Sequence, residues 1–319
     1  MTAVSVVIPT RGRPELLRRC LDALLAQDFD NAYEVVVVDD GDDPSTGQLI
    51  VGLDPSGRCI RRLATSTPRG PAAARNIGWR AASGQIVAFT DDDCIPHRHW
   101  LQNGLAAFTD GIAAASGSIL VPLPENPTDY ERNAHGLQYS EFATANCFYR
   151  RDILDEAGGF DERFTAPWRE DSDLHFRMIA RNARLGRAMG AIVSHPLQDP
   201  PFAVSVRQQR KSMFNALLYK KHPELYRRRI QPAPPWQYYT IVLVALAAVG
   251  FGLGGRSRSA AVAAGLWTGL TGRFCTVRLK GTSHHPFHVV EMILTSILIP
   301  PLAVFWRLRG AIKFRVFFL

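Results

Sequence analysis

Ile86-Val-Ala-Phe-Thr-Asp-Asp-Asp-Cys-Ile-Pro96 is the stretch on which the fold turns: an apolar run that ends abruptly in three carboxylates. Ile86 to Thr90 reads as a buried strand, and Asp91, Asp92 and Asp93 stand where it leaves the sheet. In open α/β sheets, ligands bind outside the carboxyl ends of the strands. Three adjacent acids repel one another, and a divalent cation offsets that repulsion. Hard cations such as Mg²⁺ are held by one or two carboxylates together with substrate phosphates. The plain alternative is a solvated acidic turn. Its position after a buried strand argues for the cation.

Outward from this stretch, strand and helix patterns alternate. Ala3 to Ile8 reads as a strand, and Pro14 to Gln27 as a helix with Leu17, Cys20, Leu21 and Leu24 at helical spacing. Tyr33 to Val38 is a second strand that ends in Asp39-Asp40-Gly41, and Cys59 to Ala64 is a weaker third. Pro71 to Ala82 reads as a helix with proline in its first turn. Strands recurring every ~25–30 residues with helices between them indicate βαβ units and a largely parallel sheet, an α/β fold. Neither GxGxxG nor GxxxxGK[ST] occurs, which argues against a dinucleotide Rossmann site and a Walker loop. Two strand ends delivering acids to one crevice suit a nucleotide and a metal, one acid accepting from a base N–H or ribose hydroxyl. Asp39-Asp40-Gly41 also fits a simple turn, since Asp-Gly favours turns.

The net charge of +8 hides a division. Residues 1–200 carry 20 Lys and Arg against 27 Asp and Glu, whereas residues 201–319 carry 17 against 2. The basic part also holds the long apolar runs, which favours an anionic membrane surface over nucleic acid as its partner. No helix-turn-helix, zinc-finger or single-strand-binding pattern supports the latter. Cys20, Cys59, Cys94, Cys147 and Cys275 form no CxxC pair and fit reduced thiols of a cytosolic domain. Met1-Thr-Ala runs straight into Val4-Ser-Val-Val-Ile8, which reads as a strand and not as a signal peptide.

Taken together, Val6-Val-Ile-Pro-Thr10, Val37-Val-Asp-Asp-Gly41, Ala74-Arg-Asn-Ile-Gly78, Phe89-Thr-Asp-Asp-Asp93, Ala145-Asn146, Gly158-Gly-Phe-Asp-Glu-Arg-Phe164 and Trp168-Arg-Glu-Asp171 resemble a family 2 glycosyltransferase with the nucleotide-sugar-binding fold called GT-A. The pieces follow the family's order over roughly residues 3–200; each is weak alone and together they are specific. The resemblance implies that the loop Pro9-Thr10-Arg11 and the acids Asp39 and Asp40 hold the nucleoside. It implies that Asp91 and Asp93, with Asp92 between them, face the diphosphate through Mg²⁺ or Mn²⁺. Arg75 and Asn76 lead from a loop into a helix, and a helix N-terminus beside an arginine is a natural anion site; the resemblance favours a donor-binding role over helix packing. Asn146 would contact the donor sugar, or cap a turn.

Trp168-Arg-Glu-Asp171 precedes an amphipathic run, so its acids sit near a helix N-terminus, where negative charge is stabilised in any case. In the resembling family the second acid is the catalytic base, which points to Asp171, with Glu170 in support. His195 follows the apolar run Ala191-Ile-Val-Ser194. A lone histidine beside a strand is usually structural, but some members of the family complete the metal site with a histidine about this far along, and imidazole accepts Mn²⁺. Residues 120–139, rich in proline, read as a mobile loop near the acceptor.

Residues 206–235 read as a basic interfacial helix or linker, Arg207 through Arg229, ahead of an uncharged run from Trp236 to Gly255. That run is long enough to span a bilayer. Val289 to Trp306 is a second candidate, interrupted by Pro300-Pro301, and Ser259 to Gly272 is a short third. Two spans would keep both basic flanks in the cytosol; a third crossing would put the basic tail outside, against the positive-inside tendency. The QxxRW motif of processive polysaccharide synthases is absent, Gln208-Gln209-Arg210 being a partial echo.

The reading is therefore a cytosol-facing GT-A domain over residues 1–205, a basic linker over 206–235 and a membrane domain over 236–319. The expected reaction moves a sugar from a nucleoside-diphosphate donor, with inversion, to a hydroxyl of a membrane lipid or lipid-linked glycan. A non-catalytic nucleotide-sugar-binding or scaffold protein at the membrane is the rival from another class. A nucleotidyltransferase would carry a Gly-rich loop ending in a catalytic lysine, but no lysine precedes Lys211.

Overall fold

A computed structural model describes residues 2–109 and 111–319. The chain forms two compact units. The first comprises Met1–Pro122 and His135–Leu197, the second Leu123–Ala134 and Gln198–Leu319.

The first unit is built on a mixed sheet. Its strands are β1 (Val4–Thr10), β2 (Tyr33–Asp40), β3 (Ile60–Thr65), β4 (Ile86–Phe89), β5 (Ile95–Pro96), β6 (Ala114–Leu120), β7 (Cys147–Arg150) and β8 (Leu185–Ser194), in the order β3-β2-β1-β4-β7-β6-β8-β5. The run β3-β2-β1-β4 is parallel, with Thr10 opposite Asp39 and Asp40 opposite Thr65. These registers bring the carboxyl ends of the strands to one edge. Beyond β4, strand β7 is antiparallel to both β4 and β6, while β6 and β8 are again parallel. The regular alternation in the sequence thus accounts for the parallel part, whereas the later strands pair both ways.

Both faces of this sheet are covered, which is why β1 and β2 are nearly continuous valine and isoleucine rather than alternating. Val4, Val6, Ile8, Val35 and Val37 pack against α1 (Pro14–Leu25), α2 (Pro44–Leu53) and α4 (Trp100–Ala106). Val7, Val36, Val38, Val87 and Phe89 pack against α3 (Pro71–Ala81), α6 (Arg151–Ala157) and α7 (Glu170–Ala180). Close approach of α3 needs Gly78, where an added Cβ would lie 2.3 Å from Val7 Cγ1. Proline opens α1, α2 and α3 within their first two positions, where its missing N–H costs nothing. Helix α2 has no counterpart in the periodicity reading; its signal is the Asp43-Pro44-Ser45 start, where the Asp43 carboxylate caps the Ser45 amide at 2.9 Å.

Residues 120–139 are not a structureless loop. They contain α5 (Asp129–His135) and a 3₁₀ turn, Gly136–Tyr139. Thr128 and Glu131 form a reciprocal capping box at the start of α5, the Thr128 amide donating to Glu131 at 2.6 Å and the Glu131 amide to Thr128 Oγ1 at 3.2 Å. Residues 123–134 belong to the second unit rather than the first.

The second unit continues with α8 (Val204–Gln208), a 3₁₀ stretch (Gln209–Met213), α9 (Phe214–Lys221), α10 (Pro223–Arg229), α11 (Trp236–Leu253), α12 (Ser257–Leu279) and α13 (Pro286–Phe314). The basic segment is therefore several short helices rather than one. Pro223 breaks it between α9 and α10 because it cannot donate within a helix. Phe214, Leu217 and Leu218 are buried, so its apolar residues are spent inside the unit. By length and composition, α11 and α13 are each long and apolar enough to cross a membrane. Helix α12 extends the short uncharged run 259–272 to 23 residues by taking in Arg258, Arg273 and Arg278.

Candidate active site

The acids after β4 divide among three partners. The Asp92 side chain turns inward, fully buried, and accepts from Thr10 Oγ1 at 2.7 Å and from the Arg13 guanidinium. Burial pushes its pKa up to about 7 against the opposing pull of Arg13 and Thr10. Asp91 accepts from Arg75 at 2.7 Å. Asp93 meets Arg13 through Oδ2 at 3.1 Å, while its Oδ1 is buried without a hydrogen-bond partner.

Strand β8 delivers the histidine. Ile95 of β5 pairs antiparallel with Ser194, so the ladder sets residues 93 and 94 beside His195. His195 Nε2 lies 3.5 Å from Asp93 Oδ1, and its Nδ1 is buried without a partner. Asp93, Cys94 and His195 offer ligand atoms within 4.8 Å of one another. Carboxylate and imidazole suit Mn²⁺, and carboxylates with water suit Mg²⁺. Asp93 Oδ1, buried without a hydrogen bond and facing His195 Nε2, makes this pair a fitting seat for such a cation. Asp91 is not one of that trio, and its Oδ1 is held by Arg75. Cys94, a ligand type the sequence reading did not consider, is fully buried, and burial raises its thiol pKa well above the ordinary value.

Arg75 joins two parts of the site. From α3 it donates to Asp91 at 2.7 Å and to Glu170 Oε1, the first residue of α7, at 2.9 Å. The guanidinium is almost wholly buried; burial alone would lower its pKa, but Asp91 and Glu170 hold it raised. Glu170 is raised as well, chiefly by burial, with Asp171 adding to the effect and Arg75 opposing it. Its Oε2 has no hydrogen-bond partner. Asp171 is part-exposed on the first turn of α7, with Oδ1 accepting from the Ser172 amide at 2.5 Å. Arg169, immediately before α7, adopts a left-handed backbone at φ 78°. Strain at a non-glycine residue clusters at functional sites.

At the end of β2, Asp40 accepts from the amides of Arg69 and Gly70, both at 2.8 Å, and from Thr65. It anchors the loop that enters α3. Gly70 is required in that loop: its φ is 92°, and an added Cβ would lie 2.7 Å from Thr165 O. Asp39 pairs with Arg62 at 2.7 Å through Oδ2, leaving Oδ1 buried and unpartnered. Pro9 and Thr10 end β1, and Arg11 is exposed on the following loop.

The two asparagines sit inside the protein scaffold. Asn76 bonds Phe160 O, Glu162, Trp79 Nε1 and the Phe160 amide. Asn146 donates to Ser118 O and Ala191 O, both at 2.8 Å, and accepts from Trp100 Nε1. Arg13 and Arg62 had no role in the sequence reading. The signal for Arg13 was its place on the β1–α1 loop, at the same sheet edge as the acids.

The profile of the family described as Glycosyl transferase family 2 matches residues 5–173. The chain is 30% identical over 219 residues to glycosyltransferase AglE of Haloferax volcanii, covering 65% of this chain and 70% of that one. It is 36% identical over 210 residues to the pre-mycofactocin glycosyltransferase of Mycobacterium tuberculosis, of whose length it spans 42%. Among solved structures it is similar to the mannosyltransferase PcManGT from Pyrobaculum calidifontis, in complex with GDP-Man and Mn²⁺. That likeness has a TM-score of 0.59 and 19% identity, and covers 96% of this chain and 86% of the other. It shows the shared GT-A-type fold.

Proposed function

This chain belongs to glycosyl transferase family 2, and we propose that it transfers a sugar, with inversion, from a nucleoside-diphosphate donor to a hydroxyl of a membrane-proximal acceptor. The observation that carries this reading is Arg75, whose one guanidinium binds both the acid after β4 and the acid opening α7. That shared contact supports a reading in which a diphosphate-facing group and a base-bearing helix start line one cleft.

In this reading Asp171, part-exposed, takes the proton of the acceptor hydroxyl as general base. Glu170 stays tied to Arg75, fixing the first turn of α7 and hence the aim of Asp171. Asp39 keeps Oδ1 for a donor N–H or hydroxyl of the nucleoside. Asp40, Asn76 and Asn146 act indirectly, by holding the loop and strands that line the donor. Thr10 and Arg13 anchor the β1–α1 loop on Asp92, beneath Pro9 and Arg11. Asp93 and His195, with Asp91 beside them, would hold Mg²⁺ or Mn²⁺, which supplies Lewis-acid stabilisation of charge on the leaving diphosphate.

We place the catalytic unit on the cytosolic face of a bacterial-type cytoplasmic membrane, with a lipid or lipid-linked glycan as acceptor. The apolar helices α11 and α13 support membrane attachment, and the five free cysteines support a reducing compartment. The test begins with a panel of nucleotide sugars, scoring metal-dependent donor hydrolysis by the full chain. Asp171→Asn should then cut turnover by about 10²–10⁴-fold, the range for a positioned base, while calorimetry shows donor binding retained. Binding without turnover across the panel and across lipid acceptors would favour the scaffold reading. Lost donor affinity with unchanged turnover at saturation would make Asp171 a donor ligand.

A further inference from the structure

We propose that α13, although apolar enough to cross a bilayer, lies in the plane of the membrane surface, and that only the hairpin α11–α12 crosses. The proposal rests on reading the second unit as membrane-attached and goes beyond it by assigning each helix its orientation.

The first observation is what runs beside α13. At its start, the Asp129 amide donates to His288 Nε2 at 3.1 Å, and Phe202 packs on Phe287 with ring centroids 5.4 Å apart. One turn on, Glu291 accepts from the Ala203 amide at 2.8 Å. Further along, Arg307 donates to Gln231 at 3.0 Å. Gly310 lies so close to the backbone of Met213 that an added Cβ would be 2.4 Å from its carbonyl oxygen. At the last turn, Lys220 Nζ donates to Phe314 O at 2.8 Å. The segment 202–231 therefore accompanies α13 from end to end.

That companion cannot occupy hydrocarbon. It carries Arg207, Arg210, Lys211, Lys220 and Lys221 before the arginine triplet at 227–229, and each charge at bilayer depth costs several kcal/mol. It also follows Leu197 of the first unit with no apolar run long enough to cross. The other tether, residues 123–134, leaves the first unit at Pro122 and returns at His135. Both ends of α13 are thus fastened to chain that stays on one side of the membrane. A helix of 29 residues is about 43 Å long, more than the ~30 Å core requires, and upright it would carry one of its fastenings to the far side.

The second observation is the distribution of side chains around α13. The buried stripe runs from His288 and Met292 through Thr295, Ser296, Ile299, Pro300, Ala303 and Val304 to Arg307 and Gly310. The outer face presents Phe287, Val290, Ile297, Leu298, Phe305 and Ile312, all exposed. The buried stripe holds His288, Thr295, Ser296 and Arg307, whereas the exposed face is apolar as far as Leu308, with Arg309 and Lys313 exposed beyond it. Such a face fits the acyl boundary of an anionic phospholipid bilayer, with the neighbouring cations at headgroup level.

The hairpin completes the topology. Ile241 near the start of α11 and Phe274 near the end of α12 cluster with Ile299 in the middle of α13. The base of the hairpin therefore rests on α13, and its tip, Gly254 to Arg258, is the far end. The return run 259–272 is short, but Arg258 and Arg273 bracket it and can snorkel. Arg278, at the base, donates to Asp129 at 2.7 Å and to Thr295 at 2.8 Å. With α13 in plane, all three hydrophobic segments are used, and Arg309, Lys313 and Arg315 stay beside the other cations, as the positive-inside tendency asks.

The test uses the full chain in sealed vesicles of phosphatidylglycerol and phosphatidylethanolamine, oriented with the first unit outside. Three exposed positions receive cysteine: His284→Cys before α13, Lys313→Cys in its last turn and Ser257→Cys at the hairpin tip. A membrane-impermeant maleimide, scored over wild type, should label positions 284 and 313 from outside and position 257 only after the vesicles are opened. Nitroxides at Val290, Ile297, Phe305 and Ile312 should report one common shallow depth, whereas an upright helix gives depths differing by about 15 Å, half the core. Labelling of 284 and 313 from opposite faces would overturn the in-plane assignment while leaving membrane attachment intact. Failure of the protein to float with the vesicles would overturn both. Neither readout depends on glycosyl transfer.

Discussion

The two neighbours of β1 in the sheet, β2 and β4, each hand over to consecutive acids at the same edge: Asp39-Asp40 on one side, Asp91-Asp92-Asp93 on the other. In both, one acid is consumed by the fold. Asp40 holds the amides of Arg69 and Gly70, and Asp92 holds Thr10 and Arg13. In both, another keeps a buried oxygen without a hydrogen bond, Asp39 Oδ1 and Asp93 Oδ1. Along β2 the period of two of extended chain turns neighbouring side chains to opposite sides, whereas Asp92 and Asp93 sit in a turn closed by the Cys94 amide on Asp91 O at 3.1 Å. The difference lies in the company of the open oxygen. Asp93 faces a histidine and a thiol, a set fit for a cation, whereas Asp39 faces an arginine, Arg62, and suits a neutral donor group. Acids that look equivalent in a run are therefore of two kinds, anchors and open acceptors.

The sharpest way to break this comparison is at β4. Asp93→Asn should abolish metal-stimulated transfer and weaken donor-free Mn²⁺ binding beyond detection by electron paramagnetic resonance, with the fold unchanged by circular dichroism. Asp92→Asn, one residue away, should keep Mn²⁺ binding within a few-fold, because its carboxylate serves Thr10 and Arg13. Equal loss in the two variants would mean that all three acids act as one electrostatic patch and that the division into anchors and acceptors is wrong.

At β2 the anchor is expected to show up in stability rather than in turnover at saturation. Asp40→Ala strips acceptors from two backbone amides and the Thr65 hydroxyl at once. Leaving a buried donor unsatisfied costs about 1–3 kcal/mol, and since Arg69 is exposed and Thr65 and Gly70 part-exposed, water can serve most of the three; a loss of roughly 2 kcal/mol, about that of one unsatisfied donor, is expected in denaturant unfolding of the first unit. Since Asp40 fixes the entry to α3, and α3 carries Arg75, transfer should fall in step with the unfolded fraction. Unchanged stability would show that the loop before α3 holds itself.

These distinctions mark where the sequence stops being legible. The strand ends, the acids and the Glu170-Asp171 start of α7 were readable, because apolar runs and their abrupt ends are local patterns. So was the family resemblance, now matched by the family profile over residues 5–173. Which acid anchors and which stays open was not, since Arg13, Arg62 and the amides of residues 69 and 70 reach them only through the register of separate strands. Asn76 and Asn146 look like ligand-facing amides in sequence, yet their bonds reach Trp79 one turn along α3 and, far along the chain, Phe160, Trp100 and two strand carbonyls. In the second unit, length and composition mark α13 as a candidate span. Its inverted stripe is visible only once the companion segment 202–231 is in place, because 3.6-residue periodicity does not say which face meets protein. The capping box Thr128-x-x-Glu131 was readable and would have replaced a loop by a helix.

The smallest effect, and the finest probe of the comparison, belongs to Asp39. Asn is close to isosteric and retains an acceptor oxygen, so the variant alters charge with little change of shape. Arg62 loses one charged partner but keeps Asp42 at 2.6 Å, which limits the structural cost. If Oδ1 accepts from the nucleoside of the donor, replacing a charged acceptor by a neutral one removes on the order of 1.4 kcal/mol, and the donor Kd should rise about tenfold. Turnover at saturating donor should stay near wild type, because the contact is made equally in the ground and transition states and so enters binding alone. The measurement is a pair of titrations, nucleoside diphosphate by calorimetry and donor by initial rates, on Asp39→Asn and Asp93→Asn together. Asp39→Asn should weaken the free nucleoside as much as the nucleoside diphosphate, since its contact lies on the nucleoside. Asp93→Asn should spare the free nucleoside and weaken only the diphosphate in the presence of metal. A variant at Asp39 that lost diphosphate affinity only with metal present would move Asp39 to the cation side of the cleft and erase the contrast between the two strand ends.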